Sequence, residues 1–458
     1  MNEPGQRPEP AAGAPQQQPH YAQAPVQQLA PAHVQGPQSP GQGPEYWAHP
    51  APAQGKGRRA GLKAANIILL CVFSLVAVVT LAFFAVSIGA NVFLICGALA
   101  LLPLGICVLT LRWIDKWEPE PLSAMVLGFC WGAGMAVITT LVIGSWVQPL
   151  LMNGSGQADA DMVGAVVQAP LVEELCKGAG LLLLFFLRRR TFDGPIDGVV
   201  YAGIIAAGFA FTENILYFGQ ALNEADGAVN GLVGIFLLRG IMSPFAHVMF
   251  TATLGLCVGW AARNGGTLMV LGAWLVGMVP AMALHGLWNG TSFLGANFFV
   301  VYVVLQVPLF VVFIVGIVFL RRSEAKLTRR RLAEYVPSGW FTPQEVPMLA
   351  TGAGRRRALH WSKTFAAGAL MKEFIRLATR LAFTRQRLLV DSRGGVGGAG
   401  RFARGQEQEL RLLHRITAVR TELLRRHGAA LWQAQQRQQA RLWQPEQGMQ
   451  HRQPPHQP

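Results

Sequence analysis

Pro170-Leu171-Val172-Glu173-Glu174-Leu175-Cys176-Lys177 lies inside an apolar run, Val163 to Leu187, that is long enough to cross a bilayer. Two adjacent carboxylates and an amine in hydrocarbon cost several kcal/mol even on lenient insertion scales, so they need partners, water or a task. The next three apolar runs each carry their own polar group: Glu213-Asn214, His247, and His285 with Asn289. Carboxylates and imidazoles are the groups that activate water, as general bases or as metal ligands. The expectation is a hydrolytic site assembled from four membrane helices.

Composition agrees with membrane embedding. The 458 residues are 52% hydrophobic and only 14% charged, with a mean hydropathy of +0.32, which excludes an ordinary soluble enzyme. Eight apolar runs, at roughly 64–86, 91–111, 122–145, 163–187, 197–220, 232–260, 268–290 and 297–320, are each near or above the length a spanning helix requires. The fold expected is all-α, a polytopic bundle of about eight transmembrane helices, occupying residues 61–322. The first sixty residues hold no apolar h-region of a secretory signal, so the first run is expected to remain as an anchor.

Basic residues set the orientation. Lys56 to Arg59, Arg112 to Lys116, Arg188 to Arg190, Arg263 and Arg321-Arg322 fall at every second junction, while 87–90, 146–162, 221–231 and 291–296 contain no Lys or Arg. This alternation places both termini of a multi-pass membrane protein in the cytoplasm. The loop Asp115-Lys116-Trp117-Glu118-Pro119-Glu120-Pro121 is then cytoplasmic, and its acidic residues either pair with Arg188 to Arg190 or simply cap and turn the chain.

Outside the bundle, residues 1–60 are rich in Pro, Gln, Ala and Gly and are expected to be disordered. Residues 323–357 read as a linker, 358–440 as a basic cytoplasmic helical region, and 441–458 as a disordered tail. Two helices are expected in the basic region, about 358–389 and 403–438, joined through Gly394 to Gly398. On the second, Leu412, Ile416, Val419 and Leu423 share a face that can pair with the first helix or lie on the membrane. From Arg321 onward there are 26 Lys/Arg against 9 Asp/Glu, a net +17 out of +15 for the whole chain. Anionic lipid head groups are the expected partner of that charge, with nucleic acid not expected. The six cysteines all lie in apolar runs without metal-site spacing and read as small buried residues.

On a helix Glu173 and Glu174 point about 100° apart, and Lys177 is within reach of either. One carboxylate is expected to be neutralised by Lys177, the other to face the site. Asp197, at the start of its run, reads as a structural N-terminal carboxylate, and Glu213 as functional. His285 and Asn289 are spaced i, i+4 and share a face.

These residues resemble the PrsW family of bacterial intramembrane proteases, itself similar to the CAAX prenyl protease and Abi group. The resemblance runs over roughly residues 92–322, through Asp115 to Pro121, the Glu-Glu-x-x-Lys of Glu173 to Lys177, Asp-Gly-x-x-Tyr and Phe-x-x-x-Glu-Asn of Asp197 to Asn214, then His247 and His285. It implies hydrolysis of a peptide bond in a membrane-protein substrate, an anti-sigma factor among the candidates. By position it implies Glu173, Glu174, His247, His285 and Asn289 as catalytic, with Lys177, Glu213 and Asn214 supporting. A divalent metal, zinc first among candidates, would be held by Glu173, His247 and His285, the alternative being a glutamate acting without metal. Phe-x-x-x-His of the CAAX group is Phe-x-x-x-Glu-Asn here, and no His-Glu-x-x-His pattern occurs in the chain. The competing class is an ion-coupled transporter using the same carboxylates and histidines, since such groups also build proton relays. A non-catalytic scaffold would leave four polar membrane helices unexplained.

Overall fold

A computed structural model of the protein describes residues 56–152, 157–189, 191–192, 194–224, 229–392 and 398–443. The described residues contain helices and no strand, as hydrocarbon demands: each backbone N–H and C=O must be satisfied within its own segment. The bundle comprises α1 (Lys56–Ile88), α2 (Ala90–Ile114), α3 (Leu122–Cys130), α4 (Val137–Met152), α5 (Gln157–Val163), α6 (Ala169–Arg188), α7 (Pro195–Glu224), α8 (Val229–Phe236), α9 (Ala246–Asn264), α10 (Thr267–Thr291), α11 (Phe298–Val301) and α12 (Val307–Ala333). Wider π-helical turns at Trp131–Ala136, Gly164–Gln168, Leu237–Met242 and Tyr302–Gln306 link several of these rods.

Six helical stretches among the described residues are long and apolar enough to cross a membrane. Eight were expected, and the difference has two sources. The charges of α6 remove it from any count by composition, and α10 to α12 run together as Thr267–Ala333 despite a break at Gly295, where φ is 53° and ψ −121°. Side chains such as Val86, Leu268, Val304 and Val312 stand exposed on the outside of the bundle, the pattern of a lipid-facing belt. The chain is an all-α multi-pass membrane protein.

Helix α7 is the axis, with 78% of its apolar window buried. It approaches α9 backbone to backbone through Gly194 and Gly198 on one side and Gly255 and Gly259 on the other. A Cβ on Gly255 would run into the Gly198 carbonyl, and one on Gly259 into that of Gly194. Without a hydrophobic force between helices in lipid, this small-residue contact is what allows close van der Waals packing. On the opposite flank Gly132 and Gly208 admit the turn after α3 equally closely to α7.

The C-terminal region differs from the expected plan. Residues 323–333 continue α12, residues 334–344 are turns, and the remainder of the expected linker forms α13 (Glu345–Ala350) and the start of α14 (Gly352–Lys363). The helix expected over 358–389 breaks at Thr364–Ala367, where Ala366 takes φ 55°, and resumes as α15 (Gly368–Asp391). The last helix, α16, runs Gly398–Trp443, three residues into the segment expected to be disordered. Likewise Lys56–Ala60 belong to α1. The disorder expected for 1–55 and 444–458 and the residues Gly394 to Gly397 of the expected hinge lie outside the described residues.

These helices enclose their own apolar core, built from Leu332, Tyr335, Leu349, Phe374, Leu381, Leu413 and Ile416 among others. Leu412, Ile416 and Leu423 are buried there, so that face of α16 pairs within the protein. Thr342 and Glu345 cap each other reciprocally ahead of α13, the Thr342 N–H donating to Oε2 at 2.8 Å and the Glu345 N–H to Oγ1 at 3.2 Å.

The same region grips the loop before α3. Trp117 packs against its core, the Arg355 guanidinium lies 5.0 Å over the Trp117 ring, and Arg380 comes 3.9 Å from Glu118. Burial pushes Arg355 down to about 10. Within the loop the Glu120 N–H donates to Asp115 Oδ2 at 2.6 Å, and the Tyr201 hydroxyl donates to Glu120. Arg188, offered as a partner for this loop, donates to Ser123 at 2.9 Å. Burial pushes the Asp115 carboxyl up to about 8, with Glu120 and Glu324 adding to it against the Glu120 N–H.

Candidate active site

Glu173 and Glu174 occupy the second turn of α6 and Lys177 the third, shortly after a π-helical turn. His247 sits in the first turn of α9, Glu213 in the second half of α7, and His285 towards the end of α10. All six residues fall at the same end of the bundle, away from the basic junctions. Two indoles brace α6 across this stretch: Trp131 donates to the Cys176 carbonyl and Trp274 to that of Gly178, both at 2.9 Å.

The Lys177 ammonium is the hub. It donates to Glu173 Oε2 at 3.0 Å and Glu174 Oε1 at 2.9 Å, lies 3.3 Å from His247 Nδ1, and sits 3.9 Å over the Phe209 ring. Pairing with both carboxylates differs from the expectation of one. Glu174 is wholly buried and uses both oxygens: Oε1 also meets His285 Nδ1 at 3.0 Å, and Oε2 accepts from Thr251 at 2.8 Å. Glu173 meets Lys177 and His285 Nε2, the latter at 3.7 Å, through Oε2.

The histidine tautomers follow from these partners. Donation from Nδ1 to Glu174 leaves the His285 Nε2 lone pair towards Glu173. His247 Nε2 lies 2.8 Å from Glu213 Oε2, which leaves its Nδ1 lone pair towards Lys177. The two rings meet edge to face at 5.0 Å between centroids, and Phe250 stacks on His285 at 5.0 Å.

Arg239, in the π-helical turn after α8, closes the cluster. It pairs with Glu213, donates from Nε to Asn214 Oδ1 at 2.9 Å, lies 3.4 Å from His247 Nε2, and stacks over Tyr217 at 4.2 Å. Among the charged side chains and imidazoles of the cluster Arg239 and Glu213 are the most open, 15% and 14% exposed, against 7% for Glu173 and none for Glu174, and Tyr217 beside them is exposed. The approach from outside is therefore past this pair.

Glu173, His247 and His285 present ligand atoms that all lie within 4.8 Å of one another. Two imidazoles and a carboxylate, with further carboxylates behind each imidazole, form a donor set suited to zinc. The ammonium of Lys177 now lies between Glu173 Oε2 and His247 Nδ1, so an ion in that position requires it to swing aside. Asn289 Nδ2 donates to the Ala165 carbonyl at 2.8 Å, tying α10 to the turn before α6. Asp197 accepts from the Gly194 N–H at 3.1 Å, the structural capping role expected of it.

Arg239 and Thr251 escaped the sequence reading. Arg239 carries the same signal as the glutamates and Lys177, a charge inside the apolar run 232–260. Thr251 carried none, since a threonine in a membrane helix commonly bonds its own backbone, as this one also does to the His247 carbonyl at 3.1 Å.

Comparison with known proteins places this constellation. A family model described as PrsW family intramembrane metalloprotease matches residues 120–313, which include every residue of the cluster. Over these residues the chain is similar to the PrsW family. Curated relatives include Protease PrsW of Clostridioides difficile strain 630, 33% identical over 161 residues, which are 34% of this chain and 62% of that protein. Protease PrsW of Geobacillus kaustophilus strain HTA426 is 29% identical over 147 residues, 32% of this chain and 58% of that protein. Protease PrsW of Oceanobacillus iheyensis is 29% identical over 131 residues, 29% of this chain and 55% of that one. The chain thus spans about three fifths of the length of these PrsW relatives. No solved structure matches.

Proposed function

We propose that this protein is an intramembrane peptidase that hydrolyses a peptide bond in a membrane-protein substrate, an anti-sigma factor being one candidate. The observation that carries the reading is the buried convergence of Glu173, His247 and His285 inside a PrsW-family region. Glu173, whose contacts here run through Oε2, keeps an oxygen for water and is assigned as general base. Glu174 and Glu213 hold His285 and His247 in single tautomers. Glu173, His247 and His285 would hold a divalent ion, which when bound supplies Lewis-acid polarisation and a more acidic water. Arg239, at the open side, takes over from Asn289 as the group nearest an incoming carbonyl.

Both termini and the Asp115–Pro121 loop are assigned to the cytoplasm, with 146–162 and 221–231 outside, following the basic junctions. Cysteine labelling of position 226 from the cytoplasmic side overturns that arrangement. The basic helical region is assigned to an anionic membrane surface through its arginine faces. The test of function pairs metal analysis of the purified protein with a cleavage assay on single-pass membrane proteins in wild type and Glu173→Gln.

A further inference from the structure

A cavity of about 1040 Å³ opens on the side of the bundle at its basic end, remote from the carboxylate cluster. Three helix faces build it at helical spacing: Leu256, Trp260 and Arg263 on α9, Met269, Gly272 and Val276 on α10, and Leu320, Leu327 and Arg330 on α12. Its inner part is apolar, and Trp260 and Val276 are 54% and 69% exposed towards the lipid side. Its outer part is lined by Arg263, Arg330, Arg331, Ser323 and Asn264, where α12 leaves its apolar stretch.

The arginines are held in place. Arg263 donates to Glu324 at 2.6 Å and lies 5.2 Å over Phe383, and Arg331 donates to Gln386 at 2.9 and 2.8 Å. Glu324 and Glu334 offset two of the three positive charges, leaving the exposed Arg330 as the surplus. Gly272 is an exposed residue of the lining, where an added Cβ meets nothing within 4 Å.

We propose that this cavity is a seat for one anionic phospholipid of the surrounding leaflet. An acyl chain lies along Leu256, Val276 and Leu320, and the phosphate sits among Arg263, Arg330 and Arg331. The order of the lining supports that occupant over a soluble anion or a peptide: apolar at membrane depth, an indole at the boundary, then guanidinium, hydroxyl and amide groups that bind phosphate oxygens. The helical region beyond α12 contributes Gln386 to the rim, so an occupied seat also bridges that region to the bundle. The seat is independent of peptide-bond hydrolysis and stands or falls apart from it.

The test uses the full chain in mild detergent, with phosphatidylglycerol and phosphatidylcholine as probes. Native mass spectrometry reads bound lipid, and thermal denaturation reads the shift on adding each lipid. Wild type is expected to retain phosphatidylglycerol one to one and to be stabilised by it in preference to phosphatidylcholine. Arg330→Gln weakens retention about fivefold, the effect of one basic residue near a lipid surface. Gly272→Phe fills the cavity and abolishes retention, while Gly316→Phe, also with nothing near its Cβ but outside the cavity lining, leaves it intact. If Gly272→Phe folds and keeps the lipid, or the two lipids bind alike, the seat is refuted. Inorganic phosphate that displaces the lipid and stabilises wild type equally well points instead to an ion site and overturns the proposal.

Discussion

Glu173 and Glu174 are neighbours in sequence with different surroundings, and the difference predicts different phenotypes. Glu173→Gln removes the assigned base and is expected to cut turnover by about 10²–10⁴-fold while insertion and helix content stay normal. Glu174→Gln breaks bonds to Lys177, His285 and Thr251 at once and is expected to lower the melting temperature as well. Lys177→Met leaves both carboxylates without their shared cation, a loss of about 3–5 kcal/mol for a buried pair. Added zinc is expected to recover part of that stability if the ion takes the place of the ammonium. Thermal denaturation with and without metal checks both variants. Arg239→Gln is expected to retain bound metal yet lower turnover, whereas equal loss of metal and fold would reduce Arg239 to a structural strut. The glutamates and histidines were legible in sequence because each is costly in an apolar run. The bond from Asn289 to Ala165 was not, since spacing shows only that Asn289 shares a face with His285.

Among the elements, α7 and α9 depend on glycine rather than on shape-matched large side chains. Gly255→Leu drives a side chain into the Gly198 carbonyl and is expected to cost about 1–3 kcal/mol or more, because backbone cannot yield as a rotamer can. Gly316→Leu, with open space around it, is expected to leave stability unchanged, and denaturation of the two variants side by side reads the contrast. Helix positions were visible from the lengths of the apolar runs. The continuation of α12 to Ala333 was not, because arginines mark where hydrocarbon ends and carry no information on where the helix ends. Helix termini follow capping and packing, here the burial of Leu332 in the core of the C-terminal region.

For the whole molecule, the C-terminal helical region and the Asp115–Pro121 loop form one unit. No local pattern in sequence announced this, because Arg355 and Trp117 are far apart in the chain and meet only through tertiary packing. Asp115 makes the unit pH-sensitive. Its folded pKa is raised from 3.8 to about 8, so its contribution is fully present below the ordinary aspartate value and is lost as pH rises through about 8. The melting temperature is therefore expected to fall across that window, and Asp115→Asn to remove that part of the slope. Removing residues 356–458 is expected to spare the carboxylate cluster and to expose Trp117, read as faster proteolytic cutting of the loop with peptide hydrolysis retained.

Hydrolysis at Glu173 is put to the test by a single reconstitution. Wild type and Glu173→Gln are placed in liposomes with a set of single-pass membrane proteins, and cleavage is read by mass spectrometry alongside proton and sodium flux. Wild type is expected to cleave at least one substrate, Glu173→Gln to lose that cleavage, and neither to move ions. Near-normal cleavage by Glu173→Gln contradicts the assignment of the base, and a wild type that cuts nothing but moves protons or sodium makes the cluster an ion site of a carrier.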